Sequence, residues 1–143
     1  MKLIKENSGR PMKALIVDDD NINKKYLAEV LSPHADCHLA SDGSEGLESF
    51  RRAFDQGEPF DVILMDIRMP GMDGHQAVES IRHFESENNI NEADQVKVIM
   101  ISSLDDPKNV SRAFFQGQAT SYLTKPFNHE ALIEELQKLN LID

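Results

Sequence analysis

Asp61-Val62-Ile63-Leu64-Met65-Asp66-Ile67-Arg68-Met69-Pro70-Gly71-Met72-Asp73-Gly74 is the stretch on which the reading of this chain turns. Val62 to Met65 is an unbroken apolar run, the pattern of a short buried strand. It stops at a carboxylate, Asp66. A Pro70-Gly71 turn and a second turn signal at Asp73-Gly74 follow. An acid at the mouth of a buried strand, followed by a rigid loop, reads as a site. On this segment alone a helix-capping role for Asp66 stays open.

Working outward, Ala14 to Val17 is a second wholly apolar strand, and it runs straight into Asp18-Asp19-Asp20. Ile22, Tyr26, Leu27, Val30 and Leu31 recur at helical spacing, and Pro33 marks the stop. Cys37 to Ala40 is a weaker strand. Asp42 or Ser44 can cap a helix carrying Leu47, Phe50 and Phe54. Gly57-Glu58-Pro59 ends that helix before the central strand. Beyond Gly74 a helix carries Ala77, Val78 and Ile81, and the polar stretch Ser86 to Gln95 reads as a solvated, mobile loop. Val96 to Ile101 is a further apolar strand, ending in Ser102-Ser103. A helix with Val110, Ala113 and Phe114 follows. Tyr122-Leu123 centres a short fifth strand, ending in Thr124-Lys125-Pro126-Phe127. The last helix carries Leu132, Leu136 and Leu139.

Strand and helix thus alternate five times, which predicts a parallel sheet with helices on both faces and right-handed crossovers. The 143 residues suit one domain. Residues 13–143 are read as that domain and 1–12 as a flexible tail. The formal net charge of −10 argues against nucleic acid or an anionic membrane as partner. No apolar run approaches the roughly 20 residues of a membrane span, and the polar N-terminus lacks a signal-peptide core. A cytoplasmic location is expected. The single Cys37 excludes an internal disulfide and reads as a small core residue. His34, His38, His75, His83 and His129 lack metal-ligand spacing and read as surface or packing residues.

In such sheets the active crevice lies at the carboxyl ends of the strands, where the strand order reverses. Asp18-Asp19 ends the first strand, Asp66 the third, Ser102 the fourth and Lys125 the fifth. Three clustered carboxylates need a counter-ion, and an all-oxygen set suits Mg2+ better than zinc. Asp66 is then a candidate nucleophile able to form an acyl phosphate. Lys125 and the metal would neutralise the oxygens of a phosphoryl group in transfer, and Ser102 would donate a hydrogen bond to one of them.

Four segments carry a resemblance: Leu15 to Asp20, Asp61 to Gly74, Ile99 to Ser103 and Tyr122 to Phe127. With them the chain resembles a response-regulator receiver domain of two-component signalling, of the single-domain chemotaxis-regulator kind. The resemblance implies a flavodoxin-like, doubly wound five-stranded sheet in the order 2-1-3-4-5 with five helices. It implies that Asp66 accepts a phosphoryl group from a sensor histidine kinase or a histidine phosphotransfer protein. Asp19 and Asp66 would bind Mg2+ directly, Asp18 largely through water, and the backbone carbonyl of Arg68 would complete the protein ligands. Ser102 takes the place of a hydroxyl switch and Tyr122 that of an aromatic switch. Lys125 would pair with the phosphate, and the Lys125–Pro126 bond is expected to be cis. Phosphorylation would reshape the face formed by the fourth helix, fifth strand and fifth helix toward an unidentified downstream protein. Whether it also drives dimerisation is left open. Such a chain is a phosphoacceptor that promotes its own phosphorylation and dephosphorylation, not an enzyme.

Several residues call for other readings. Asp20 is expected to cap or solvate, Asp73 to be a turn residue and not a ligand, and Asp105 and Asp106 to cap the fourth helix. The segment between Gly117 and Lys125 is one residue longer than the common pattern, which keeps Ser103 as a second candidate for the switch. Phe115 reads as packing, with partner anchoring as the alternative. Leu104, beside the site, is expected to keep water from the acyl phosphate and slow its hydrolysis. A Mg2+-dependent phosphatase with an Asp nucleophile needs a second acid two residues on, where this chain has Arg68. A flavin module needs a phosphate-cradling loop where this chain has Asp18-Asp19-Asp20. No domain is expected after the last helix, although Asp19 to Lys24 resembles receivers set within hybrid kinases and phosphorelays.

Overall fold

The computed structural model describes residues 11–103 and 119–143. The strands are β1 (Met12–Val17), β2 (Ala35–Ala40), β3 (Val62–Asp66), β4 (Lys97–Ser103) and β5 (Ser121–Lys125). The helices are α1 (Asn21–Leu31), α2 (Gly43–Asp55), α3 (Gly74–Glu87) and α4 (His129–Lys138). All strand pairs are parallel, in the order β2-β1-β3-β4-β5. This is the expected flavodoxin-like order.

β3 lies in the middle, and its apolar run is shielded on both faces. Alternate residues serve two cores. Leu15, Ile63, Met65 and Met100 pack with Phe50, Ala77 and Ile81 from α2 and α3. Ile16, Leu64, Ile99 and Ile101 pack with Leu27, Leu31, Leu132 and Leu136 from α1 and α4. The chain leaves β1 toward β2 on one side and returns to β3 on the other. The reversal therefore falls between β1 and β3, and opens a crevice at their carboxyl ends.

Four α-helices stand among the described residues, against five expected. The helix read around Val110 to Phe114 lies outside the described residues, as do Leu104, Asp105, Asp106, Phe115, Gly117 and the N-terminal stretch before Pro11. β1 starts at Met12, one residue before the expected domain boundary. α3 runs on to Glu87, into the stretch read as loop, and a short 3-10 turn spans Glu92–Asp94.

The inner face of α1 differs from the expected one. Ile22 and Tyr26 are 79% and 42% exposed, whereas Lys24 is only 5% exposed and lies inward with Leu27 and Leu31. The helical period explains this. Lys24, Leu27 and Leu31 follow i, i+3, i+7, and residues two positions from Lys24 sit about 200° around the axis, on the outer face. Counting apolar residues favoured the wrong stripe because a lysine occupied a core position.

Glu85 was not anticipated as an inward residue either, yet it is 1% exposed. Its Oε1 accepts from Arg82 Nη1 at 2.8 Å, and its Oε2 accepts from the Val96 N–H at 2.8 Å. Arg82 Nη1 also donates to the Val96 carbonyl at 2.8 Å. This clamp joins the last turns of α3 to the entry of β4.

Candidate functional site

β1 delivers Asp18 into the crevice, β3 delivers Asp66, and β5 delivers Lys125. Asp18 and Asp66 are buried while Asp19 is exposed. One carboxylate oxygen from each of Asp18, Asp19 and Asp66 lies within 4.8 Å of the others. This is the only such group of three metal-capable side chains among the described residues. Lys125 Nζ sits 3.6 Å from Asp66 Oδ1 and 4.0 Å from Asp18 Oδ2. The Lys125–Pro126 peptide bond is cis.

The electrostatics leave the acids under-compensated. Burial, with the Asp18 charge adding to it, raises the Asp66 carboxyl from 3.8 to about 6, and the Lys125 ammonium only partly opposes this. Asp18 is raised too, chiefly by burial, against the Asp20 amide and Lys125. Asp18 Oδ1 accepts the Asp20 N–H at 2.9 Å. Its Oδ2 is buried without a hydrogen-bond partner, and so is Ser102 Oγ. Two unsatisfied buried oxygens beside a carboxylate cluster are costly unless something fills the space between them. The donor set is all oxygen and negatively charged, so a hard divalent cation fits it.

The β3–β4 register pairs Asp66 with Ile101, so Ser102 lies one step beyond the end of β3. Ser102 is buried, whereas Ser103 is half-buried. Thr120 Oγ1 accepts from the Val98 N–H and the Thr120 N–H donates to the Val98 carbonyl, which sets the start of β5. Tyr122 is half-buried and packs against the core on the α2/α3 side, as does Met72. Arg68 is exposed in the loop after β3.

Three further acids cap helices. Asp20 accepts from the Ile22 and Asn23 amides at the start of α1. Asp42 caps α2 through the Glu45 amide. Asp73 forms a reciprocal capping box with Gln76 at the start of α3. His75 is buried, and the other four histidines are exposed.

Gly74 holds α3 against Asp66. A Cβ there would stand 2.5 Å from the Asp66 carbonyl oxygen and 2.8 Å from Ile67 Cα, both backbone atoms unable to yield. The Gly74 N–H donates to the Ile67 carbonyl at 2.8 Å. Sequence reading passed over a second close approach, at the Ser41-Asp42-Gly43 turn. A Cβ on Gly43 would lie 2.5 Å from the Met72 carbonyl oxygen, in the loop after Asp66. The signal available was the Asp42-Gly43 pair, read only as a helix start.

A cleft of about 280 Å3 opens beside the acids between α1 and the β5–α4 loop, lined in part by Asp18, Tyr26, Leu27, Lys125 and Phe127. Among the described residues no helix is long and apolar enough to cross a membrane.

Comparison with known proteins agrees with this geometry. A family model described as response regulator receiver domain matches residues 14–137. The chemotaxis protein CheY of Treponema pallidum is 31% identical over 131 residues, covering 90% of this chain and 83% of that one. The sensor histidine kinase GacS of Pseudomonas protegens is 33% identical over 132 residues, but this chain spans only 13% of its length. Among solved structures, a CheX-CheY-BeF3-Mg+2 complex from Borrelia burgdorferi superposes with a TM-score of 0.78 at 26% identity, covering 94% of this chain and 93% of that one. The receiver domain of Ssk1, solved with the histidine phosphotransfer protein Ypd1 of Saccharomyces cerevisiae, gives a TM-score of 0.75 at 27% identity, covering 90% and 88%.

Proposed function

Because the chain belongs to the response regulator receiver family, we propose that Asp66 accepts a phosphoryl group from a phosphohistidine, with Mg2+ bound. The donor would be a sensor histidine kinase or a histidine phosphotransfer protein. One observation carries the reading: three carboxylates share a site within 4.8 Å, with Lys125 Nζ at 3.6 Å from the Asp66 oxygen. An Asp66 oxygen attacks phosphorus while the bond from phosphorus to the donor imidazole nitrogen breaks. The imidazole leaves with the electron pair and later takes a proton from water. Lys125 pairs with a phosphoryl oxygen, and the unpartnered Ser102 hydroxyl donates to another.

The carboxylates of Asp18, Asp19 and Asp66 and the Arg68 carbonyl would hold the ion, Asp18 largely through water. When bound, Mg2+ neutralises the crowded acids and the phosphoryl oxygens. Hydrolysis of the acyl phosphate by water returns Asp66, so the chain is a switch rather than a turnover catalyst. Movement of Ser102 and half-buried Tyr122 on phosphorylation would change the face that β5 and α4 help to form, and so its protein contacts. The cleft lined by Tyr26 and Phe127 adjoins the acids, so a protein donor reaching Asp66 would cover it. The acidic, single-cysteine chain supports a cytoplasmic setting for this exchange.

Intact mass after incubation with Mg2+ and a phosphodonor tests the proposal. Wild type is expected to gain one phosphoryl group from acetyl phosphate or from a phosphorylated histidine phosphotransfer protein. Asp66→Ala should gain none, and chelating the metal should abolish the gain. Uptake by Asp66→Ala, or no uptake by wild type from either donor, would overturn it.

A further inference from the structure

The buried ammonium of Lys24 has no part in the chemistry above. It occupies a core position of α1, where burial of a charge is costly without a purpose. Its Nζ donates to Ser41 Oγ at 2.7 Å, just past the carboxyl end of β2. The Ser41 N–H donates to Glu45 Oε1 at 2.8 Å, and the Glu45 N–H donates to Asp42 Oδ1 at 2.8 Å. The turn is therefore tied to α1 from below and to α2 from above.

This turn touches both halves of the acid site. On one side the Asp18 N–H donates to the Ala40 carbonyl at 3.1 Å, immediately before Ser41. On the other, Gly43 stands against Met72, with backbone so close that a Cβ would meet the Met72 carbonyl oxygen at 2.5 Å and Met72 Cγ at 3.0 Å. Met72 belongs to the loop that carries the Arg68 carbonyl away from Asp66. Gly74 closes the same loop at its far end, against the Asp66 carbonyl. The loop is thus held at two points, by Gly74 from α3 and by the Gly43 turn from α2. Only the second of these depends on a tether from α1.

We propose that Lys24, through Ser41 and the Gly43 turn, is a positioning residue that seats the loop after Asp66 and so sets the geometry of the acceptor site. This rests on the phosphoacceptor reading for its consequence, but the seating itself is a property of the metal-free chain. Lys24 touches neither phosphoryl group nor ion; it acts by fixing where Met72 rests. Lys24→Met keeps the volume and apolar stem that pack inside α1 and removes only the donor. The fold should therefore survive, with the Ser41 turn free to shift.

Two readouts separate positioning from plain structural support. The first is amide hydrogen exchange at Arg68, Met69, Gly71 and Met72 in the metal-free protein. Lys24→Met and Ser41→Ala should both exchange faster there, with β3 and α3 amides unchanged, and the thermal midpoint should hold in Lys24→Met, which leaves no buried charge behind. Lys24→Arg, which keeps donors at the site, should restore the wild-type loop. The second is the Mg2+ concentration giving half-maximal phosphorylation by acetyl phosphate, which should rise roughly tenfold in Lys24→Met, as when an outer-shell partner is lost. Gly43→Ala should reproduce both effects by pushing Met72 away directly. Unchanged loop exchange in Lys24→Met and Ser41→Ala would overturn the inference, as would faster exchange spread evenly through the sheet. If wild type takes up no phosphoryl group, the phosphoacceptor reading fails. Loop exchange then still decides the seating.

Discussion

Asp66→Asn is expected to stabilise the metal-free protein by as much as about 3 kcal/mol above pH 7. Burial and the neighbouring Asp18 charge lift the Asp66 carboxyl from 3.8 to about 6 in the folded chain. The folded state therefore holds a proton that the unfolded state has already lost between those two values. Stability rises with pH only where the unfolded state binds more protons, and here the folded state does. The Asp66 contribution is thus favourable below about pH 4 and is lost as pH climbs through 6. Asn keeps the size and cannot ionise. Denaturant titrations of both proteins from pH 4 to pH 8 without divalent ions should give a difference that starts near zero, grows to pH 6 and levels above 7. Saturating Mg2+ should shrink it, because an ion that binds only the folded carboxylates stabilises wild type by mass action. A difference that is flat across this range would show that Asp66 is not strained by its surroundings.

That strain was half legible in the sequence. Four of the five strands ended visibly in Asp18, Asp66, Ser102 or Lys125, and alternation of strand and helix put those ends on one edge. Buried parallel strands are the easiest elements to read, because both faces demand apolar residues and the run has no competing pattern. Caps at Asp20 and Asp42 were legible for a related reason: a short acid before a periodic stretch has one local task. Asp73 read only as a turn residue, yet it caps α3. The order of the strands and the roles of Tyr122 and Arg68 came with the family resemblance, since no local pattern specifies them.

Buried charge was illegible. Lys24 and Glu85 sit where the helical period asks for apolar side chains, and each is inside because a partner distant in sequence meets it: Ser41, 17 residues on, and Val96, 11 residues on. Polar residues are read as outward by default, so a satisfied inward charge shifts the apparent stripe, as it did for Ile22 and Tyr26. Close backbone approach was equally silent. Gly43 and Gly74 look like ordinary turn residues, yet each stands where a single methyl would collide with another segment's carbonyl.

Glu85→Ala carries the largest expected loss of stability, about 3–5 kcal/mol, since it leaves the buried Val96 N–H without its acceptor and takes the carboxylate from a mostly buried arginine. It deletes both carboxylate oxygens of the clamp at once and leaves Arg82 only the Val96 carbonyl within it. The Val96 N–H is left buried without its 2.8 Å partner, and Arg82, whose side chain is 18% exposed, loses its carboxylate. Glu85→Gln should cost less, because one carbonyl oxygen can still accept from the Val96 N–H or from Arg82, though not both. The pair formed by Arg52 and Glu48 is the contrast: it is just as short at 2.7 Å, but its side chains are 58% and 72% exposed. Glu48→Ala should therefore cost under about 0.5 kcal/mol. Urea unfolding of the three variants reads all three losses on one scale. Glu85→Ala within about 1 kcal/mol of wild type would mean that water reaches Arg82 and Val96 once the carboxylate is gone. The clamp matters beyond stability because it meets the chain directly before β4. The Glu85–Val96 bond helps set where β4 begins, and the β3–β4 register then carries Ser102 to its place one step past Asp66. The end of a helix far from the acid site thus helps to align Ser102 with Asp66.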